Sequence, residues 1–210
     1  MPCIIFDFDG TLADTSRGII NTFQATLDRM GVPEIDESRI KSVIGLPLKQ
    51  NFTIGAGFSD KQADKAVEIY RELFMGIALK TTTAFPGVVE TVKTLYERSI
   101  PMAIASSRSR PSLLALSKEI GIGEYIPEDH IFGVESVARP KPAPDLVYAI
   151  AARLGVKPEE SLVVGDTTFD LEMGRAAGAH TCGVTYGNQT AAQLMGACPD
   201  YLIDDLRKLL

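Results

Sequence analysis

No lysine- or arginine-rich run occurs anywhere in the 210 residues, and the net charge is −6 with a pI near 5.0. Such a chain offers no extended cationic face to a nucleic acid, so an anionic ligand has to be held by a few local groups. Apolar stretches of transmembrane length are also lacking, as are a basic leader and a small-residue cleavage site, and the first strand pattern begins by residue 3 or 4. These absences lead to the expectation of a cytoplasmic protein that engages no membrane. Cysteine is scarce: Cys3, Cys182 and Cys198 are odd in number and without metal-ligand spacing, and are expected to be core thiols. Gly55-Ala56-Gly57 lacks the third glycine of a dinucleotide fingerprint and follows helical sequence. The chain has neither an internal repeat nor a low-complexity segment. With 45% hydrophobic and 23% charged residues, its composition suits one sizeable domain, or one domain carrying a smaller insert.

Against that background one stretch stands out. Ile4, Ile5 and Phe6 form an unbroken apolar run, the pattern of a strand buried on both faces, and Asp7 and Asp9 appear where that strand should end at Gly10 and Thr11. An N-cap or Asx-turn would account for one aspartate and leave the other unexplained. Two carboxylates placed this close call for a cation, and hard oxygen ligands favour magnesium. One carboxylate can then attack while the other moves a proton.

Residues 15 to 82 show helical periodicity only. Ile19, Ile20, Phe23, Leu27 and Met30 share a face before Gly31; segments follow near 37–44, ending at Gly45, and 47–54; Ser59 with Gln62 makes a capping box for a helix over about 60–79. This block reads as an all-helical insert, residues 15–82, within a domain made of 1–14 and 83–210. From Pro86 onward helices and strands alternate. Helices are expected near 87–98, 111–120, 144–155 and 169–178, strands near 101–105, 131–134, 162–164 and 180–185, then a short edge strand at 201–203 and a C-terminal helix. That alternation implies an α/β fold with a doubly wound parallel sheet.

In such a sheet, ligands bind beyond the carboxyl ends of the strands where strand order reverses. Asp7 and Asp9 leave the first strand, Ser106 the second and Asp166 the fourth, so all face one crevice. Ser106 fits a strand-exit turn as well as a ligand contact. Lys141, between Pro140, Pro142 and Pro144, is a surface lysine in a stiff loop or an ammonium held rigidly. Asp170 falls on the opening turn of a helix, where capping is the plain role, and Arg108 either meets phosphate or faces solvent. His130 and His180 are read as structural.

The stretch Asp7-Phe8-Asp9-Gly10-Thr11, Ser106 after Met-Ala-Ile-Ala, Arg139-Pro140-Lys141-Pro142-Ala143-Pro144-Asp145 and Gly165-Asp166-Thr167-Thr168-Phe169-Asp170 resemble, in order, the four motifs of the haloacid dehalogenase-like hydrolase superfamily, most of whose members are phosphatases. Together they span nearly the whole chain. The resemblance implies a Rossmann-like core with the 15–82 insert as a helical cap. It implies Asp7 as a nucleophile forming an aspartyl-phosphate and Asp9 as acid and then base, whose presence counts against dehalogenation. It also implies that Ser106 and Lys141 hold the phosphoryl group, with Thr11 and Ser107 among the substrate contacts, although Ser106-Ser107 departs from the commoner Thr-Asn pair. It further implies Mg2+ held by Asp7, Asp166 and the backbone oxygen of Asp9, with Asp170 in the metal site either directly or through water or Lys141. Ile44-Gly45-Leu46-Pro47-Leu48 and Gly183-Val184-Thr185-Tyr186-Gly187 look most like phosphoglycolate phosphatases and their pyrophosphatase relatives, which implies a small anionic phosphorylated substrate, with Lys49 offered to its leaving group. A β-phosphoglucomutase-like phosphotransferase competes less well, since residues 15–82 contain no histidine. A receiver-like signalling module would be far shorter and would lack the insert. A monomer or weak homodimer is expected.

Overall fold

Four buried residues, Cys3–Phe6, form β1, and every one of them pairs with a neighbouring strand. The computed structural model describes residues 3–44 and 46–210. Gly45, at which the sequence ends a helical segment, lies outside them. By contact density the chain divides into two units, Met1–Asp14 with Thr83–Leu210, and Thr15–Thr82.

In the first unit the order along the chain is β1, β2 (Ala13–Asp14), β3 (Thr83–Ala84), α5 (Val88–Glu97), β4 (Met102–Ala105), α6 (Arg110–Glu119), β5 (Ile131–Phe132), α7 (Asp145–Leu154), β6 (Ser161–Gly165), α8 (Thr168–Ala177), β7 (His180–Val184), α9 (Ala191–Gly196) and β8 (Tyr201–Ile203). Among the described residues the main sheet runs β5-β4-β1-β6-β7-β8, all parallel. The chain therefore travels outward from β1 to β5, returns to the far side of β1 at β6, and continues to β8. Strand order reverses beside β1, which opens a crevice at the carboxyl ends of β4, β1 and β6. Ile5, Ala103 and Val163, on those three adjacent strands, pack with Leu146, Val147, Ile150 and Met173 of α7 and α8 in one buried cluster. Covered strands of this kind need apolar residues at consecutive positions, as the Cys-Ile-Ile-Phe and Met-Ala-Ile-Ala runs supply.

In the second unit, α1 (Ser16–Arg29), α2 (Glu37–Lys41), α3 (Leu48–Gln50) and α4 (Asp60–Ala78) follow one another. Phe23 of α1 stacks on Phe52 at 4.4 Å, and Phe52 meets Tyr70 of α4 edge-on at 6.0 Å. Ser59 and Gln62 form the expected capping box at the start of α4, the Ser59 amide donating to Gln62 Oε1 at 3.0 Å.

Five details differ from the sequence reading. The segment expected over 47–54 is helical only through Leu48–Gln50 and then widens into a π-type turn, Asn51–Gly55, which buries Phe52 between the rings of Phe23, Phe58 and Tyr70. β2 and β3, two residues each, pair antiparallel and were not anticipated. The expected C-terminal helix is a single 3-10 turn, Leu206–Leu209, and the unanticipated α9 precedes β8. Cys198 is not a core thiol: it is exposed, with φ +51, just after α9, whereas Cys3 and Cys182 are buried and burial pushes both thiols up to about 12.

Candidate active site

The sheet ladder itself aims the first acidic residue. The Asp7 amide donates to the Val164 carbonyl at 2.8 Å, extending the β1–β6 pairing by one residue, and the chain then turns so that Leu12 and Ala13 both donate to the Phe8 carbonyl. On the other side the Ser106 amide donates to the Phe132 carbonyl, holding Ser106 at the end of β4. Asp166 follows β6 directly, and Asp170 lies one turn into α8.

These placements bring four charged side chains together away from water. Lys141 Nζ donates to Asp7 Oδ1 at 2.6 Å and also to Asp170 Oδ1, with its side chain 4% exposed. Asp170 keeps its capping role too, because its Oδ2 accepts from the Thr167 amide at 3.0 Å and the Thr167 hydroxyl at 2.7 Å. One carboxylate thus fixes both a helix start and the lysine. Oxygens of Asp7, Asp166 and Asp170 lie within 4.8 Å of one another. The peptide bond from Lys141 to Pro142 is cis.

The remaining sequence-derived residues are placed as follows. Thr11 is fully buried and its hydroxyl donates to Asp166 Oδ1 at 3.2 Å. The Asp9 carboxylate is bound by Arg108 through Nε at 3.0 Å and through Nη2. It lies outside the group formed by the Asp7, Asp166 and Asp170 carboxylates. Arg108 therefore neither meets open solvent nor stands alone, since its side chain is 11% exposed. Ser106 Oγ accepts from the Arg108 amide at 3.2 Å, while Ser107 is half-buried beside it. Lys49, in the helical unit, pairs with Asp64 at 2.8 Å and Asp60 at 3.8 Å. His130 Nδ1 lies 3.1 Å from the Met102 carbonyl, and His180 is exposed near Asp200.

Sequence reading passed over Asn188, whose backbone N–H and Nδ2 both donate to Asp166 Oδ2, at 2.7 and 2.8 Å. It follows β7 by four residues and carries no motif. The one available hint was its position beyond a strand that neighbours β6.

Burial pushes the Asp7 carboxyl well above its usual range; Lys141 pulls it down, while Asp170, Asp166 and Asp9 push it further up. Asp166 rises to about 7, first through burial and then through the charge of Asp170, against the hydrogen bonds from Asn188 and Thr11. Burial alone would lower the Lys141 ammonium, but Asp170 and Asp7 reverse the sign and hold it above its ordinary value. Three buried carboxylates facing one ammonium leave two formal negative charges uncompensated. A divalent cation with a taste for carboxylate oxygen fits that deficit in charge and in donor type.

A family model described as haloacid dehalogenase-like hydrolase matches residues 4–184. A probable phosphatase, IndB, of Dickeya dadantii is 35% identical over 100% of this chain and 92% of its own. The pyrophosphatase PpaX of Bacillus velezensis is 30% identical, with 99% of this chain and 94% of that one covered. Among solved structures, a haloacid dehalogenase-like hydrolase from Bacteroides fragilis superposes with a TM-score of 0.92 at 33% identity, covering 99% of both chains.

Proposed function

The chain belongs to the haloacid dehalogenase-like hydrolases and is a phosphatase of that family, and from that premise we propose that it hydrolyses a small phosphate monoester such as 2-phosphoglycolate in a magnesium-dependent reaction. The observation that carries the reading is the position of Asp7: its carboxylate stands at the carboxyl end of the central strand, 2.6 Å from a buried ammonium. An Asp7 oxygen attacks phosphorus, the bond from phosphorus to the leaving oxygen breaks, and Asp9 supplies the proton that the leaving oxygen takes up. Asp9 then accepts a proton from water as water attacks the aspartyl-phosphate, and the bond from Asp7 oxygen to phosphorus breaks to release phosphate. Ser106, from the end of β4, donates to a phosphoryl oxygen, with Ser107 alongside as a further substrate contact, while the buried Thr11 hydroxyl serves Asp166 instead of the substrate. Lys141 stays charged and offsets negative charge on Asp7 and on the phosphoryl oxygens.

Asp7, Asp166 and Asp170 would hold Mg2+ together with the Asp9 backbone oxygen, and the bound ion supplies electrostatic stabilisation of charge on the phosphoryl group. The likeness to a pyrophosphatase supports a leaving group that itself carries negative charge.

Replacing Asp7 by Asn removes the attacking anion at nearly constant shape. Turnover of p-nitrophenyl phosphate should fall by several orders of magnitude, and chelation by EDTA should abolish turnover in the parent protein. Near-parental activity of Asp7→Asn would sink the nucleophile assignment.

A further inference from the structure

The Asp166 carboxylate can be accounted for acceptor site by acceptor site. An ionised carboxylate offers about four, two on each oxygen. Oδ2 receives both the Asn188 backbone N–H and its Nδ2, and Oδ1 receives the Thr11 hydroxyl. Only the amide nitrogen of Asn188 can donate to a carboxylate, so chemistry fixes which way that side chain points. Oδ2 is filled, and one acceptor position is left, on Oδ1.

The surrounding loop is shaped for this approach. A Cβ on Gly187 would stand 2.3 Å from Asp166 Cβ and 2.4 Å from the Gly10 carbonyl, and a Cβ on Gly10 would stand 2.1 Å from Asp166 Oδ2. Residues on both sides of this pair are tied down: the Tyr186 hydroxyl donates to the Thr11 carbonyl at 2.9 Å, and Gln189 Oε1 accepts from the Thr168 amide at the start of α8 at 2.8 Å. Asn188 is thus delivered to Oδ2 by anchors at residues 186 and 189.

We infer that Asn188 is a positioning residue that restricts Asp166 to a single metal-ligating oxygen and so biases the site toward Mg2+ and against Ca2+. The inference rests on the metal reading proposed above and adds a residue and a selectivity to it. Mg2+ takes six ligands in near-ideal octahedral geometry, whereas Ca2+ takes six to eight oxygens and commonly gathers both oxygens of a carboxylate. A carboxylate that can give only one oxygen, from a fixed direction, withholds a ligand from the larger ion and costs the smaller one nothing. Removing the Nδ2 donor opens a position on Oδ2 and lets the carboxylate turn.

Calorimetric titration with Mg2+ and with Ca2+ tests this without any turnover. In Asn188→Ala the ratio of the Ca2+ to the Mg2+ dissociation constant should fall by about tenfold or more, the scale on which partners of metal ligands act. If that variant does not unfold cooperatively, Asn188→Ser, smaller and still polar, carries the same comparison. A ratio equal to the parent's in a variant that still binds Mg2+ overturns the inference alone, because a merely structural role would shift both constants together. A parent protein that binds neither ion overturns the metal reading and the inference with it.

Discussion

Arg108 directs Nε and Nη2 at the Asp9 carboxylate, and that choice separates two aspartates only two residues apart in the chain. Asp7 belongs with Asp166 and Asp170; the Asp9 side chain belongs with Arg108. Asp9→Asn is therefore expected to lower kcat by about 10²- to 10⁴-fold with the magnesium dependence unchanged, the cost of losing a positioned proton donor. Asp166→Asn should instead raise the magnesium concentration needed for half-maximal rate. Titrating metal against rate in each variant checks the division, and identical metal curves would show it to be wrong. Asp166 also predicts a pH effect on stability. Its carboxyl is raised to about 7 in the folded protein from an ordinary 3.8, so between those values the folded state keeps a proton that the unfolded chain has lost. Stability from this group is complete below about pH 4 and is lost as pH rises through 7 in metal-free protein. A divalent cation replaces that proton, so the rise in Tm on adding Mg2+ should be larger at pH 8 than at pH 5. Thermal unfolding with EDTA and with Mg2+ at the two pH values measures it, and an equal or smaller rise at pH 8 would count against a metal at Asp166.

α3 and α4 are joined by the pairing of Lys49 with Asp64 and Asp60. An ammonium already shared between two carboxylates must exchange partners to meet an anionic leaving group, and both of its partners here are exposed, where such pairs are weak. Lys49→Ala is expected to raise KM for 2-phosphoglycolate far more than for p-nitrophenyl phosphate, because only the former carries a second anion. Equal changes in kcat/KM would return Lys49 to a helix-to-helix contact. The elements legible in the sequence were those whose own residues pay for them: α1 and α4 by amphipathic period, β1, β4 and β6 by apolar runs, α7 by Pro144 before it and Gly155 after it. β2 and β3 were not legible, since two residues have no period and their pairing joins positions 14 and 83. α9 did carry a signal, the capping pair Thr190 and Gln193, but only six residues follow it. The candidate site divides along the same line. Asp7, Ser106, Lys141, Asp166 and Asp170 could be picked out because each stands at a strand end, in a proline-stiffened loop or on a helix's first turn. Asn188 and the partnership of Arg108 with Asp9 are contacts across 22 and 99 residues, which no local spacing encodes.

At the scale of the molecule, the helical segment leaves and re-enters the core through adjacent residues, for Asp14 faces Thr83 in the β2–β3 pair. Replacing residues 15–82 by a two-residue Asn-Gly turn would complete that pair as an ordinary hairpin. The shortened chain is expected to fold, with cooperative thermal unfolding and a far-UV spectrum of mixed α/β type; a chain lacking a cooperative transition would show that the core depends on the helical segment. The central place of β1 has a further consequence, for biosynthesis. Its two sheet partners begin at Met102 and Ser161, so among the described strands of the main sheet it waits through the longest stretch of chain for its neighbours. At roughly 5–20 residues per second, a ribosome leaves Cys-Ile-Ile-Phe without its first partner for roughly 5 to 20 s and without its second for longer. The helices made in between rely on contacts nearer in sequence and can form in that interval. The nascent chain thus carries an apolar strand lacking one or both neighbours until Ser161–Gly165 has been made, and that interval, rather than any weakness of the finished sheet, is when the protein is most exposed to aggregation.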